Sequence, residues 1–287
     1  HECAIRAGGV VSCWGSGGLG QLGNGGYDNS STPVNVVGLS DVTAITTGRY
    51  HTCAMTAGGQ VWCWGLGAWG QLGNGSTQTY ATPTAMPDMS NAIAIGAGFG
   101  SSCGVRAGHT IGCTGRNFMG ALGTGDTNDS VQPASVVGIS NAVTVGGGYA
   151  HGCALLSTGQ VKCWGANWNG QLGDESTSDS TSPVLVHGIS TATSLSVGHN
   201  FVCATLADTS VVCWGRNSDG QLGDGTTSDR SLPTAVHGVT NAVSVSAGNQ
   251  HACAALADAS VVCWGANASG ELGTGNTTPH LMSTTVS

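Results

Sequence analysis

Twelve cysteines are the residues of this chain whose spacing gives the clearest indication of chemistry. They form six Cys-x9-Cys pairs that recur every fifty residues without an insertion. The members are Cys3 and Cys13, Cys53 and Cys63, Cys103 and Cys113, Cys153 and Cys163, Cys203 and Cys213, Cys253 and Cys263. Paired thiols either form disulfides or bind metal, and the surrounding sequence distinguishes the two.

The segment around each pair has the pattern of a β-hairpin. Residues 51–55 and 60–64 are short β-favouring runs, and residues 56–59 between them are typical of a turn. A turn centred near Gly58 places Cys53 opposite Cys63, where antiparallel Cα atoms lie about 4.5 to 5.5 Å apart. A disulfide tolerates this separation. The spacing therefore predicts six cross-strand disulfides, one in each unit.

Zinc binding by His51, Cys53 and Cys63 is the alternative, because histidine and cysteine are zinc ligands. The histidine becomes Ser101 in the third unit and Phe201 in the fifth, whereas the cysteine pair is present in all six. We therefore expect disulfides, with no metal and no cofactor. Disulfides are typical of oxidising compartments, so the expected location is extracellular or at the cell surface.

The rest of each unit is also composed of strand-like runs. Apolar residues alternate in the run that precedes each hairpin, as in Val143 and Val145, and this period indicates a strand between neighbouring sheets. A recurring proline, such as Pro83, precedes a further short run and indicates an edge strand. These fourth runs are residues 34–37, 84–86, 134–137, 184–187 and 234–237.

Four strands in each of six units predict an all-β fold, a β-propeller of six four-stranded blades, or seven if a repeat lies outside the chain. We expect one domain over residues 1–287, with units 1–50, 51–100, 101–150, 151–200, 201–250 and an incomplete 251–287. The first unit lacks its channel-side strand, so an open blade is expected. Self-association through that blade follows as a hypothesis.

A family resemblance adds to this prediction. Trp-Gly follows the second cysteine of each unit, except at Thr114-Gly115, and Gly-Gln-Leu-Gly or a close relative comes four residues later. With the later proline and Gly-x-x-His, this pattern resembles the repeat of the regulator of chromosome condensation family over essentially the whole chain. The resemblance implies a propeller, usually of seven blades. Members include a chromatin-bound exchange factor for a small GTPase and a secreted bacterial inhibitor of β-lactamase.

Composition limits the partners. The net charge is −8 and the chain has a single lysine, Lys162, whereas a protein needs lysine and arginine to neutralise phosphates. We therefore expect no nucleic-acid partner, no chromatin role and no anionic membrane surface. No apolar run approaches the ~18 residues of a membrane span, so membrane insertion is not expected either.

Other motifs support no reaction. No Ser/His/Asp set or carboxylate pair clusters in the sequence, so no enzyme activity is expected. Loop acids such as Asp174 and Asp224 are interpreted as solvated side chains, with calcium binding as the alternative. Five asparagines open Asn-x-Ser/Thr sequons and leave glycosylation open: Asn29, Asn74, Asn128, Asn267 and Asn276.

Comparison of the six units points to one end of the propeller. The link after the first strand and the long loop after the third strand share this end, and both vary between units. Aromatic and basic residues occur there where sister units place small or polar ones. The candidate binding residues are Arg49, Tyr50, Trp69, Phe99, Phe118, Tyr149, Trp168 and His199. Loops on a rigid scaffold often bind partners, although neutral drift also makes loops vary.

The predicted function is a secreted or cell-surface binding module that recognises a protein or a glycan through this end. A structural subunit of an extracellular assembly or filament is the alternative, because the unit count is ragged at both ends. An enzyme or a GTPase exchange factor has the least support.

Overall fold

The computed structural model describes residues 1–286, which form six antiparallel sheets. The first sheet has three strands: β1 (Glu2–Arg6), β2 (Val10–Gly15) and β3 (Ser30–Asn35). The second has β4 (Val42–Thr47), β5 (His51–Thr56), β6 (Val61–Gly65) and β7 (Tyr80–Ala85). The third has β8 (Ala92–Ala97), β9 (Ser101–Arg106), β10 (Ile111–Gly115) and β11 (Ser130–Ser135).

The other three sheets repeat this order. The fourth has β12 (Ala142–Gly147), β13 (His151–Leu156), β14 (Val161–Gly165) and β15 (Ser180–Leu185). The fifth has β16 (Ala192–Val197), β17 (Phe201–Leu206), β18 (Val211–Gly215) and β19 (Arg230–Ala235). The sixth has β20 (Ala242–Ala247), β21 (His251–Leu256), β22 (Val261–Gly265) and β23 (His280–Thr285). A 3-10 turn, Phe118–Gly120, is the one helical element among the described residues.

The six sheets are the blades of a β-propeller, as predicted. The innermost strands β4, β8, β12, β16 and β20 pack against their neighbours around a central cavity of about 670 Å³. In the first blade β1 takes the innermost place, so the predicted absence of its channel-side strand is confirmed. Each complete blade takes its innermost strand from the end of the preceding fifty-residue unit.

The disulfide prediction is confirmed. In every hairpin the two cysteines are directly opposed, as in Cys53 and Cys63, and all six pairs have Cα atoms 4.0 to 4.1 Å apart. No free cysteine remains among residues 1–286. Because every sulfur is bonded to another sulfur, the cysteines are not available as zinc ligands.

The recurring tryptophans join each blade to the one before it. Trp64, Trp164, Trp214 and Trp264 are fully buried. Their indole N–H groups donate to backbone carbonyls in the Gly-Gln-Leu-Gly loop of the preceding blade, at 2.9 to 3.0 Å. In the third unit the Thr114 hydroxyl donates instead to the Gly70 carbonyl, at 2.9 Å. These buried indoles therefore pack each of these blades against its neighbour.

The seam between the sixth and first blades differs from the other five. Val261 is 40% exposed, whereas its counterpart Val211 in the fifth blade is fully buried. Trp14 is only partly buried, and Glu271 is exposed where Gln221 in the fifth blade is buried. The side of the last blade that is turned away from the fifth blade, which we call the outer side of the last blade, is therefore an open apolar surface.

Two strand predictions need correction, and a β-bulge explains each. The fourth strands begin before their prolines: Ser130 pairs with Gly115 because the register shifts between Cys113 and Gly115. Residue 143 was expected to pack between sheets, but Val143 is 44% exposed. A register shift between Ala142 and Thr144 makes it the extra residue of a bulge.

Candidate binding face

The links between the first and second strands of neighbouring blades are bonded to one another. The Phe99 N–H donates to the Gly148 carbonyl at 2.9 Å, and the Tyr149 N–H donates to the His199 carbonyl at 2.7 Å. The His199 N–H donates in turn to the Gly248 carbonyl at 3.2 Å. These bonds run across the third to sixth blades, so the side chains of these links project from a fixed backbone.

Phe99 is the centre of an aromatic cluster at the mouth of the cavity. Its ring centroid lies 4.8 Å from that of Tyr149, edge to face, 6.0 Å from Trp69 and 6.2 Å from Tyr50. The Tyr149 ring continues the cluster to His199, at 4.9 Å. Edge-to-face pairs at such distances are favourable beyond their buried area, so the cluster is a preformed surface.

Trp69 reaches this cluster from the long loop of the second blade. The Gln71 side-chain oxygen accepts a hydrogen bond from the backbone N–H of Trp69 at 2.9 Å, and this bond fixes the loop tip. Gly100 in the third blade lies beneath the indole: a Cβ there would be 2.8 Å from Trp69 Cε3. The missing side chain at residue 100 therefore leaves room for the tryptophan.

Phe118 and Trp168 form the second half of the surface, with centroids 6.1 Å apart. Arg116 joins the halves, since its guanidinium lies 5.3 Å from the Trp69 ring and 4.9 Å from the Phe118 ring. Ala121 stands where four of the other loops have the tip-fixing glutamine and the sixth has Glu271, and this loop instead forms the 3-10 turn.

All eight predicted residues therefore lie on one connected surface. We call it the aromatic face, and with Arg116 added it comprises Arg49, Tyr50, Trp69, Phe99, Arg116, Phe118, Tyr149, Trp168 and His199. Arg49 is exposed and Trp168 is 46% exposed, while the others are half-buried. The aromatic rings are therefore partly accessible and still anchored to the scaffold.

Arg116 was not among the residues predicted from the sequence. Arg216 was also absent from the predicted set. It continues the same end of the propeller in the fifth blade and contacts Asp219 at 3.6 Å, and Gln250 of the sixth blade donates to Asp219 at 3.1 Å. The sequence did contain a signal for these arginines. The position after the Trp-Gly or Thr-Gly pair is Leu66 in the second unit, arginine in the third and fifth, and alanine in the fourth and sixth.

The cavity beneath the face has a largely backbone wall with few charged side chains. Glycines of the links line it, with Arg49, Phe99 and His199 at the mouth and Glu2 on the first blade. Burial lowers the pKa of His199, and the positive charges of Arg49 and Arg216 lower it further. At neutral pH His199 is thus a neutral aromatic side chain.

The loop acids hold the long loops in shape. Asp224 is not solvated as predicted, because it is buried and accepts hydrogen bonds from Asn217 and Arg230. Asp179 accepts the Asn167 N–H and Asp229 accepts the Asn217 N–H, both at 2.7 Å. No group of three or more histidine, cysteine or acidic residues is arranged to hold a metal ion among residues 1–286. In the described part of the chain no helix is both long enough and apolar enough to cross a membrane.

The sequon at Asn267 was wrongly included among the candidate glycosylation sites. The residue is fully buried, and its side-chain N–H groups donate to Asn276 and Thr278 carbonyls at 3.0 and 2.9 Å. A side chain engaged in this way cannot carry a glycan without opening the loop. Asn29, Asn128 and Asn276 are exposed.

With this geometry in hand, comparison with known proteins defines the class as a repeat propeller. The regulator of chromosome condensation (RCC1) repeat matches residues 9–55, 58–105, 158–205 and 209–255. A second profile of the same repeat matches residues 42–71, 142–171, 192–221 and 242–271. More than half of the chain is matched, and the chain belongs to the RCC1 repeat family. No curated protein sequence matches it significantly.

Solved structures share this fold at low sequence identity. Yeast RCC1 (Prp20), solved bound to Kap60, superposes with a TM-score of 0.84 at 21% identity, over 96% of this chain and 71% of Prp20. Human WBSCR16 gives 0.82 at 19% identity, over 97% and 76%. The ectodomain of the Physcomitrella patens receptor kinase CR4 gives 0.53 at 21% identity, over 92% and 60%.

Proposed function

We propose that the protein is a secreted or cell-surface binding module, without enzyme activity, that recognises a protein or a glycan through the aromatic face. The observation that carries the proposal is the connected cluster of partly exposed rings at the cavity mouth, centred on Phe99. Aromatic and arginine side chains are enriched in the energetically important parts of interfaces. The interblade backbone bonds preform this surface, which lowers the entropic cost of binding.

The location rests on the disulfides. Six disulfides include every cysteine of residues 1–286. Such bonds are stable in an oxidising compartment and rare in the cytosol. A related fold occurs in the CR4 ectodomain, which shows that such propellers exist on receptor ectodomains. The paired cysteines also separate this chain from a nuclear role of the kind performed by the chromatin-bound family member.

A structural subunit is the second candidate, and the open seam favours it. Val261 and Val286 are 40% and 41% exposed on the outer side of the last blade, while the first blade presents β1 without a neighbour on its inner edge. An apolar surface beside an unpaired strand edge is a site for self-association. Sedimentation analysis across a concentration series distinguishes this candidate, because it predicts concentration-dependent oligomers.

The test of the binding proposal is a screen of a glycan array and a cell-surface protein array. Each binder is remeasured with Trp69→Ala combined with Trp168→Ala, and with Val37→Ala combined with Val137→Ala as the control. The two valines are exposed near the opposite end. Loss of two anchors should weaken binding by about thirtyfold or more, whereas the control should stay within about twofold. Binders that respond to neither variant would remove the aromatic face from consideration.

A further inference from the structure

Two arginines on the aromatic face have no carboxylate partner. The arginine ion pairs among residues 1–286 join Arg216 to Asp219 and Arg230 to Asp224. Neither Arg49 nor Arg116 takes part in an ion pair within these residues. These two guanidinium groups instead lie over aromatic rings, Arg49 at 4.8 Å from Phe99 and 5.0 Å from Tyr50. Stacking on a ring leaves the N–H groups at the guanidinium edge free to bind an acceptor.

The local charge differs from that of the whole chain. The net charge is −8, yet three of the seven lysine and arginine residues, Arg49, Arg116 and Arg216, lie at this end of the propeller. Asp219 pairs with Arg216 and Glu2 lines the cavity wall, so the unpaired arginines at this end are Arg49 and Arg116. Arg49 and His199 both line the cavity mouth, and the pKa of His199 is lowered by burial and further by the charges of Arg49 and Arg216. Charges within about one Debye length govern a ligand at this mouth more than distant acids do.

The ring geometry favours a protein segment over a sugar. A sugar stacks on an open aromatic face, but Arg49 occupies one side of the Phe99 ring and Arg116 one side each of the Trp69 and Phe118 rings, which leaves Trp168 as the most exposed ring of this surface. The accessible surface therefore combines partly exposed rings with guanidinium groups. Such a surface suits apolar side chains and carboxylates presented together on a loop.

We propose that the aromatic face binds a protein loop carrying at least one aspartate or glutamate, whose carboxylate pairs with Arg49 or Arg116 while neighbouring apolar side chains pack on Trp69, Phe99 and Trp168. This inference rests on the proposed function, because it names the partner chemistry of the same face. An arginine pre-stacked on a ring is well suited to a carboxylate, since its planar fork forms two parallel hydrogen bonds.

The probe is a phage-displayed library of disulfide-cyclised random heptapeptides, selected on the whole protein. Enriched peptides are synthesised and measured on three variants. The first is Arg49→Gln with Arg116→Gln; the second is Trp69→Ala with Trp168→Ala. The third is a matched charge control at other sites, Arg6→Gln with Lys162→Gln, whose side chains donate to Asn35 and to the Gly138 carbonyl. Circular dichroism confirms that each variant is folded.

The expected result is an excess of aspartate and glutamate in peptides that depend on the aromatic face. These peptides should bind the Arg49→Gln, Arg116→Gln protein about tenfold more weakly and the charge control within about twofold. Changing the acidic residue of the peptide to its amide should weaken binding to the wild type, but should add little on the arginine variant.

Two outcomes separate the inference from the function on which it rests. Peptides that lose binding with the tryptophan variant but show no acidic excess, or bind the arginine variant unchanged, would overturn the carboxylate inference and leave the aromatic face as the binding site. A selection whose peptides ignore the tryptophan variant, or one that returns no binder, would count against both.

Discussion

Replacing His151 with phenylalanine should stabilise the protein, most strongly in acid. His151 is buried, and neither ring nitrogen has a hydrogen-bond partner among the described residues. Burial lowers its pKa to about 3, with His199 contributing a further decrease. The fifth blade places the fully buried Phe201 at the same position, against Gly198 as His151 lies against Gly148. Phenylalanine therefore fits this environment.

The magnitude has two parts. Removing a buried polar group without partners should raise the free energy of unfolding by about 1 to 3 kcal/mol at pH 7.5. The second part depends on pH: the folded-state pKa of His151 lies below the unfolded value of 6.5, so the unfolded state binds the proton first. Stability is therefore fully present above pH 6.5 and is lost as the pH falls towards 3. At pH 5 the wild type should have lost about 2 kcal/mol through this residue.

Urea unfolding with intact disulfides at pH 7.5 and pH 5.0 measures both parts. His51→Phe is the comparison, because the pKa of His51 is lowered to about 4 by burial but its Nε2 atom is hydrogen-bonded to Ser102 Oγ at 2.8 Å. His51→Phe should share the reduced acid sensitivity with a smaller gain at pH 7.5, because only its Nδ1 atom lacks a partner among the described residues. If His151→Phe and the wild type lose stability equally between the two pH values, His151 is not a buried neutral histidine.

Three further predictions follow from the packing. Trp264→Phe removes an interblade hydrogen bond from a buried site and should lower the stability in thermal unfolding by about 1 to 3 kcal/mol. Trp14→Phe at the open seam should cost under about 1 kcal/mol, and equal costs would contradict the open seam. Gly100→Ala should displace the Trp69 indole and weaken binding through the aromatic face without unfolding the protein; unchanged tryptophan fluorescence and affinity would contradict this contact. Each disulfide closes a short loop and should contribute about 2 to 3 kcal/mol, so full reduction should unfold the propeller; a protein folded without its disulfides would contradict this estimate.

Much of the fold was predictable because the repeat supplies six independent copies of one pattern. The cysteine pairing followed from hairpin register, and the eight residues of the predicted face followed from positions where units differ. Period two did not reveal that Val143 lies in a bulge, since a bulge adds a residue without changing the composition of the strand. The period also did not show that Pro133 lies within its strand rather than before it.

The site was less predictable than the fold because it depends on contacts between blades. Arg116 joins two groups of rings that are separate in the sequence, and Gly100 matters only because Trp69 crosses a seam to lie over it. The buried amide of Asn267 shows the same limit, since a sequon motif contains no information about exposure.

Hydrogen–deuterium exchange of the complex with the strongest binder tests the binding face most directly, because it locates contacts without substitutions. Protection is expected at the strand links, residues 48–50, 98–100 and 148–150, and at the loop tips, residues 66–72 and 116–122. The hairpin turns at residues 57–59 and 107–110, at the opposite end, should exchange as in the free protein. Protection confined to those turns, or to the outer side of the last blade, would contradict it.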